Sequence, residues 1–466
     1  MKRWTRIKYQ PNLPLEEGKY VTCSNEHRAL AREAAKEGIV LLKNEKEMLP
    51  LKKGTRLAIF GRGIADYVKG GGGSGAVLVK KDTTLYDVLA KYPEHVSMYA
   101  PLCDFYYQEI QNQYASGLVP GMTYEPEIPE ELLEGAKEFA DTAMIVLSRF
   151  SGEGWDRSDI EFFDGIGPDG DEKTMPRLAG KYYPNGDFYI TKEEKQMIAK
   201  VKENFENVIV VLNIGGVIDT LWCKEDEQIC AVLNMWQGGM EGAQAAAEIL
   251  LGLANPCGKL VDTFAKDINS YPSETGYHES VEYVNYIEDV YVGYRYFETI
   301  PGAKEEVCFP FGYGLQTAFV MELKENIVME QLSEKLKPSV LKERMLSDGS
   351  FEALREIYLK EFEMTVKEAK PWAIMSSYNI INGHRASECR EFLEDILRGE
   401  WGYEGVVMTD WWTRGEHYKE ILAGNDLKMA CGFPDRVKQA QELGIIERGD
   451  LIRSAKRVLG LILKME

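Results

Sequence analysis

The sequence predicts an α/β fold, a doubly wound α/β sandwich domain followed by a partial (β/α) barrel-like domain. Short apolar runs rich in β-branched residues alternate with longer amphipathic segments, which is typical of a parallel sheet covered by helices. The alternation stops in a highly charged tract, residues 320–349, and then resumes. We therefore assign residues 1–319 to the sandwich, residues 320–349 to a helical connector and residues 350–466 to the C-terminal part of a barrel.

The composition narrows the classes of partner. The 466 residues suffice for roughly two or three domains. A formal net charge of −20 disfavours nucleic acid and membranes as partners, whereas a neutral, sugar-like ligand tolerates it. No apolar run approaches the length of a membrane span or a signal-peptide core. The eight cysteines form no C-x-x-C pair and there are only five histidines. We therefore expect no metal, no cofactor and a cytoplasmic protein with reduced thiols.

The first domain is predicted to alternate strands with helices. An apolar stripe indicates a first helix from Asn25 to Lys43, and Thr191 with Glu194 forms a capping box at the start of a later one. Further helices are predicted at residues 129–140, 191–204 and 241–251, and strands at residues 56–60, 143–147, 208–212 and 230–233. This order predicts a parallel sheet whose ligands bind at the carboxyl ends of the strands.

A glycine-rich turn, beginning Gly61-Arg62-Gly63, follows the first of these strands. The dinucleotide-binding fingerprint needs a third glycine where Asp66 stands, and an acidic side chain there would face the pyrophosphate. The pattern therefore favours a flexible or sugar-facing loop, with nucleotide binding as the alternative.

The segment 148–157 follows the strand at residues 143–147 directly, so it lies at the carboxyl edge of the predicted sheet. Glu153 stands between two glycines, which leave its carboxylate accessible, and Trp155 offers a face on which a sugar could stack. Asp156 and Arg157 follow. The alternative is a surface turn with an incidental acid.

The region after residue 350 contains a second candidate carboxylate. The apolar run 406–408 is typical of a buried parallel strand, and it ends at Asp410, followed by Trp411 and Trp412. A buried strand that delivers an acid at its C-terminal end is typical of a barrel active site. The alternative is that Asp410 caps the next helix.

Other elements of this region complete only part of a barrel. Leu354, Tyr358, Phe362 and Val366 recur on one face of a predicted helix. Further predictions are strands at residues 372–376 and 426–429, a turn at 382–383, and helices at 391–399 and 450–464. Roughly three strands can be counted, whereas a closed barrel needs eight.

Two carboxylates at strand ends, with aromatic neighbours, meet the needs of glycoside hydrolysis. One acid protonates the leaving oxygen, and the other attacks the anomeric carbon or activates water. The proton donor needs a raised pKa, which partial burial beside an aromatic ring can provide. The nucleophile must stay ionised and therefore needs polar neighbours.

Stretches spread over nearly the whole chain resemble glycoside hydrolase family 3, in the permuted order that places the sandwich before the barrel. They include SGEGWDR, VVLNIGGVID, WQGGMEG, GYRYF, FPFGYGL, LREIYLKEFE, MSSYNIING, LRGEWGYEGVVMTDW and AGNDLKMA. The resemblance implies a retaining β-glucosidase that hydrolyses terminal β-linked glucosyl residues through a covalent glycosyl-aspartate. It makes Asp410 the nucleophile and Glu153 the acid/base. Substrate binding is assigned to Tyr378, Trp411, Trp155 and Arg157.

The departures from the family pattern are concentrated in one place. The motifs of the first half of the barrel and the fibronectin-type module are missing, as a single internal deletion would produce. The alternative function is therefore a catalytically weak or inactive truncated member that serves as a carbohydrate-binding or interaction module. An exposed strand edge also favours self-association, so a homo-oligomer is among the expected states.

Overall fold

The computed structural model describes residues 15–16, 19–20, 23–71, 75, 77, 79, 83–118, 120–150, 183–277, 280, 283–316 and 353–464. The chain divides into two compact units. The first, the sandwich unit, is Val21–Gly349, and the second, the C-terminal unit, consists of Met1–Tyr20 and Ser350–Glu466. The predicted connector, residues 320–349, lies outside the described residues.

The described strands are, in chain order, β1 (Leu15–Glu16), β2 (Lys19–Tyr20), β3 (Val40–Asn44), β4 (Thr55–Phe60), β5 (Val96–Met98), β6 (Thr142–Ser148), β7 (Asn207–Asn213), β8 (Ile229–Asn234), β9 (Phe264–Ala265), β10 (Val307–Phe309), β11 (Ala373–Ser376), β12 (Ile380–Ile381), β13 (His384–Arg385) and β14 (Val406–Thr409).

The described helices of the sandwich unit are Asn25–Gly38, Leu85–Leu89, Ala100–Ala115, Glu130–Phe139, Lys192–Asn204, Leu221–Lys224, Gly242–Leu250, Glu274–Tyr277 and Tyr294–Thr299. Those of the C-terminal unit are the consecutive helical segments Leu354–Tyr358, Lys360–Met364 and Thr365–Ala369, and the helices Glu391–Glu400, His417–Ala423, Pro434–Glu442 and Arg448–Lys464.

A six-stranded sheet forms the centre of the sandwich unit. Its order is β3-β8-β7-β6-β4-β5, and every neighbouring pair is parallel except β3 with β8. The apolar residues of β6, β7 and β8 are almost completely buried, because helices cover the sheet and a parallel sheet needs such cover on both faces. The predicted α/β sandwich fold is confirmed, and the Thr191–Glu194 capping box is present as predicted.

The first predicted helix ends earlier than the sequence indicated. It stops at Gly38, and Val40–Asn44 forms β3 instead of continuing the helix. Residues 39–42 are at most 1% exposed because they pair with β8 and pack into the core of the sheet. An apolar run of this length fits a helical stripe and a buried strand equally well, so the pattern alone could not separate the two.

In the C-terminal unit, β11 and β14 pair in parallel from Ala373 opposite Val406 to Ser376 opposite Thr409. Beyond β14, Leu427 makes a parallel bridge to Met408, so the predicted third strand is reduced to one bridging residue. Strands β12 and β13 form a hairpin around Asn382 and Gly383, whose φ angles of 49° and 79° match the predicted Asn-Gly turn.

Burial in the C-terminal unit is uneven. Val406 and Val407 of β14 are fully buried, whereas Met375 of β11 is 55% exposed. Of the four apolar residues predicted to share one helix face, only Val366 is buried, and Phe362 is 51% exposed. These four residues lie on helical segments as predicted, but Phe362 is not buried.

Two negative observations apply to the described part of the chain. None of its helices is long and apolar enough to cross a membrane. No three histidine, cysteine or acidic side chains in it form a group that could hold a metal ion.

Candidate active site

Asp410 directly follows β14, at the C-terminal end of the β11–β14 pair. Its backbone N–H donates to the Ser376 carbonyl at 2.9 Å, which continues the parallel pairing by one residue. Its carboxylate Oδ1 accepts a hydrogen bond of 2.6 Å from the Trp411 backbone N–H, and no described residue donates to Oδ2. The following helix begins only at His417, with Glu416 as its N-cap residue. Asp410 therefore does not cap that helix, and its carboxylate is half-exposed and oriented by one amide.

Three exposed aromatic residues belong to the same stretch of structure as Asp410. The rings of Trp411 and Trp412 meet edge to face, with centroids 5.2 Å apart, and both are exposed. The Tyr378 hydroxyl donates to the Trp411 carbonyl, so the loop after β11 is attached to the residue beside Asp410. Exposed aromatic rings next to a carboxylate offer stacking faces for the C–H faces of a sugar. The structure thus brings Asp410, Trp411 and Tyr378 together.

A buried polar layer lies beneath the strand ends. Ser376 Oγ donates to Asn425 Oδ1 at 2.8 Å, and Asn425 Nδ2 donates to the Ser387 carbonyl at 2.6 Å. Thr409 Oγ1 accepts from the Met429 backbone N–H at 2.9 Å. These side chains are buried and bonded, so they tie β11 and β14 to the segment after helix His417–Ala423.

A buried ion pair lies next to this layer. Lys428 Nζ is 2.6 Å from Glu420 Oε2, with both side chains almost inaccessible to water. Burial lowers the pKa of His417, which is on the same helix as Glu420, and its Nδ1 accepts the Phe433 backbone N–H at 3.0 Å. Neither Lys428 nor Glu420 is among the site residues predicted from the sequence. A lysine inside the otherwise apolar run 427–429 was the signal that could have identified the pair.

The carboxyl edge of the sandwich sheet is also built on buried charges. Arg149, the residue after β6, forms a bidentate ion pair with Glu194, with both N···O distances at 2.7 Å. Arg149 also donates to the carbonyls of Asp187 and Tyr189. It therefore joins the residues just before the segment 151–182 to those just after it.

Two carboxylates of this edge differ in pKa because their partners differ. Burial tends to raise the pKa of Glu194, but the guanidinium groups of Arg149 and Arg62 outweigh it and lower the pKa below its ordinary value. Burial raises the pKa of Glu125 to about 7. Hydrogen bonds from the Tyr106 hydroxyl and the Arg62 backbone N–H act in the opposite direction but are outweighed.

The glycine turn after β4 is accounted for by packing. A Cβ on Gly61 would lie 2.5 Å from the Val146 carbonyl oxygen, and one on Gly63 would lie 2.8 Å from it. Asp66 is fully buried and accepts hydrogen bonds from Arg62 and the Gly121 N–H. The glycines therefore allow the turn to approach β6, and the Asp66 carboxylate serves the interior of the unit, where it could not face a pyrophosphate.

Glu153, Trp155 and Arg157 lie outside the described residues. An open cavity of about 290 Å³ lies elsewhere, at the start of β14, and is lined by Trp372, Gly405 and Arg457 among others. It is at the opposite end of the strand from Asp410 and does not belong to the candidate site.

Family models match both parts of the chain. The glycosyl hydrolase family 3 C-terminal domain matches residues 39–317, and the glycosyl hydrolase family 3 N terminal domain matches residues 340–461. The two domains therefore occur in reversed order.

Two curated relatives illustrate the similarity. Beta-glucosidase A of Butyrivibrio fibrisolvens is 30% identical over an alignment of 812 residues, covering 97% of this chain and 98% of that protein. Because this chain has 466 residues, hundreds of residues of that relative have no counterpart in it. A beta-glucosidase of Ruminococcus albus is 37% identical over 298 residues, which are 62% of this chain and 28% of that protein.

Solved structures agree on the fold. A beta-glucosidase from Paenibacillus barengoltzii has a TM-score of 0.76 and 20% identity, covering 94% of this chain and 85% of that one. Beta-glucosidase 3B from Thermotoga neapolitana, solved in complex with glucose, has a TM-score of 0.51 and 30% identity, covering 62% of this chain and 38% of that one. The predicted family and the predicted enzyme class, a glycosidase of β-glucosidase type, are confirmed, and the chain belongs to glycoside hydrolase family 3 with its C-terminal-type domain placed first.

Proposed function

We propose that this chain hydrolyses terminal β-linked glucosyl residues with retention of configuration, using Asp410 as nucleophile and Glu153 as acid/base. One observation carries the proposal: Asp410 stands at the C-terminal end of a buried parallel strand, half-exposed, with one carboxylate oxygen bound by an amide and aromatic rings beside it. The relatives named above, which are β-glucosidases, support the choice of substrate.

The proposed reaction has two displacements. In the first, Asp410 attacks the anomeric carbon while the Glu153 carboxyl protonates the departing glycosidic oxygen, so an ester joins the sugar to Asp410. In the second, the Glu153 carboxylate removes a proton from water, the water oxygen attacks the same carbon, and Asp410 leaves as a carboxylate.

Two features of the described residues support Asp410 as the nucleophile. The amide hydrogen bond to Oδ1 fixes the carboxylate plane, which leaves Oδ2 for attack. Trp411 and Tyr378 form an exposed aromatic surface on which the ring of a glucosyl residue would stack. Fixing these groups before substrate arrives reduces the entropy cost of reaching the transition state.

A second candidate function is that of a weakly active or inactive carbohydrate-binding module. Hundreds of residues of the Butyrivibrio relative have no counterpart in this chain, and Met375 on β11 is exposed where a closed barrel would cover it. If sugar-binding groups are among the missing residues, transition-state stabilisation falls, since each hydrogen bond to a charged group contributes roughly 1.5–3 kcal/mol.

Hydrolysis of a chromogenic aryl β-glucoside by the full chain tests the proposal. Asp410→Ala is expected to lower kcat by at least about 10³-fold, because it removes the carboxylate that the proposed reaction uses as nucleophile. Asp395→Asn, an exposed acid in the same unit, is the control and should retain full activity.

Azide rescue separates the two carboxylates. Azide should restore Asp410→Ala by forming the α-glucosyl azide and Glu153→Ala by forming the β-glucosyl azide, since the anion replaces a different group in each variant. A folded wild type that binds glucosides without turning them over supports the binding module instead. Full activity of Asp410→Ala would overturn the assigned nucleophile.

A further inference from the structure

The loop that presents the aromatic surface is held in an unfavourable conformation. We define the aromatic loop as Trp411–Gly415, between β14 and helix His417–Ala423. Trp412 has a φ of 57° and is 70% exposed, although a bulky residue with positive φ is a backbone outlier. Its ring meets that of Trp411 edge to face, and its backbone N–H donates to the Met429 carbonyl at 3.0 Å. Groups around the loop must hold it in this conformation.

Lys428 provides several of these restraints. Its ammonium group donates to the Thr413 carbonyl at 3.2 Å, to Thr413 Oγ1 at 2.9 Å and to the Gly415 carbonyl at 3.1 Å. Three contacts thus go to two residues of the aromatic loop, and a fourth goes to Glu420 Oε2 at 2.6 Å. All four groups converge on one point behind the loop.

Glu420 completes the arrangement from the helix. Its Oε1 accepts hydrogen bonds from Thr413 Oγ1 at 2.7 Å and from Ser387 Oγ at 3.1 Å. Thr413 therefore accepts from Lys428 and donates to Glu420 through the same hydroxyl. The loop is connected to both partners of the ion pair.

Stability is a weak explanation for such a pair. The side chains of Lys428 and Glu420 are 2% and 0% exposed, so both ions have lost their hydration. A buried ion pair is often no more stabilising than apolar residues of the same size. What it can add is a specific geometry. Here the geometry is that of the loop carrying Trp411, whose amide orients the Asp410 carboxylate.

We propose that Lys428 and Glu420 are positioning residues, which hold the aromatic loop so that the Trp411 amide and the aromatic rings are in place before substrate binds. The expected effect of this ion pair on turnover rests on the proposed function. Its effect on the order of the loop does not, and can be measured without substrate.

The decisive variant is Lys428→Met combined with Glu420→Leu, which removes both charges and keeps the volume. We expect kcat/KM to fall by about 10²-fold and amide exchange of residues 411–415 to accelerate by about tenfold. The thermal midpoint should fall as well, because the buried Thr413 and Ser387 hydroxyls lose hydrogen-bond partners. The control is Arg355→Met with Glu400→Leu, which removes a solvent-exposed bidentate pair of the same unit. It should change neither kcat/KM nor exchange in the loop.

Thr413→Val is the second variant, for the case that the double variant does not fold. It removes only the hydroxyl shared by the two ions, and we expect a several-fold fall in kcat with faster loop exchange. Wild-type exchange and wild-type kcat/KM in a folded double variant, or in Thr413→Val if the double variant is unfolded, would overturn the inference. A wild type without activity would instead refute the proposed function, and the exchange rates would still decide whether the pair holds the loop.

Discussion

The two units of this chain surround their parallel strands to different extents. In the sandwich unit, every apolar residue of β6 and β7 is at most 1% exposed, whereas in the C-terminal unit β14 is buried but β11 leaves Met375 largely open. A parallel sheet is stable when helices cover both of its faces. Within the described residues, the sandwich meets that condition and the β11–β14 pair does not.

Both units nevertheless place buried ion pairs at the carboxyl ends of their strands. Arg149 and Glu194 do so in the sandwich, and Lys428 and Glu420 do so in the C-terminal unit. Each pair connects a loop at a strand end to a helix. Both units therefore have a buried ion pair at the carboxyl ends of their strands, although the burial of the strands themselves differs.

The largest expected effect concerns the sandwich ion pair. Glu194→Ala should lower the free energy of unfolding by about 3–5 kcal/mol, because it leaves the Arg149 charge buried without its partner. Calorimetry of the full chain measures the loss, and Glu193→Ala, an exposed neighbour, is the control. A change below about 1 kcal/mol would mean that water reaches Arg149 and that this edge is as open as β11.

Two side-chain substitutions to alanine test directly whether the strands of the two units differ in burial. Ile209→Ala on β7 should cost about 2–5 kcal/mol, because it leaves a cavity in a fully buried strand. Met375→Ala on β11 should change the free energy of unfolding by no more than about 0.5 kcal/mol, because the side chain is already exposed. Denaturant unfolding followed for both variants gives the comparison. Equal losses would show that β11 is covered in solution, for example by a second copy of the chain.

The stability of the sandwich unit should depend on pH through the buried carboxyl group of Glu125. Between the ordinary pKa of 4.5 and the folded value of about 7, folded Glu125 keeps its proton while the unfolded chain releases it. Its contribution to stability is therefore complete below pH 4.5 and is lost as the pH rises through 7, a change on the order of 3 kcal/mol.

Thermal midpoints of the wild type between pH 5 and 8 measure this decline. Glu125→Gln cannot titrate and should flatten it, and Glu127→Gln, on an exposed residue two positions away, should not. An unchanged decline in Glu125→Gln would assign the dependence to other groups.

Local sequence patterns predicted an element correctly where only one type of secondary structure fitted the residues. The strands β4, β6, β7 and β8 were predicted to within about two residues, because each short apolar run lies between segments with helical patterns. The Asn382-Gly383 turn was predicted for a similar reason, since few residues accept two successive positive φ angles. Residues 39–42 show the limit, because their apolar run satisfies a helix and a strand alike.

The sequence by itself determined the family, the α/β class and the position of Asp410 at the end of a strand, since these depend on runs of neighbouring residues. Only the tertiary structure decided that Asp66 is buried, that Phe362 and Met375 are exposed, and that Lys428 meets Glu420 behind the aromatic loop. Burial and ion pairing depend on which elements pack together. A strand pattern fixes the face on which a side chain lies but not what covers that face.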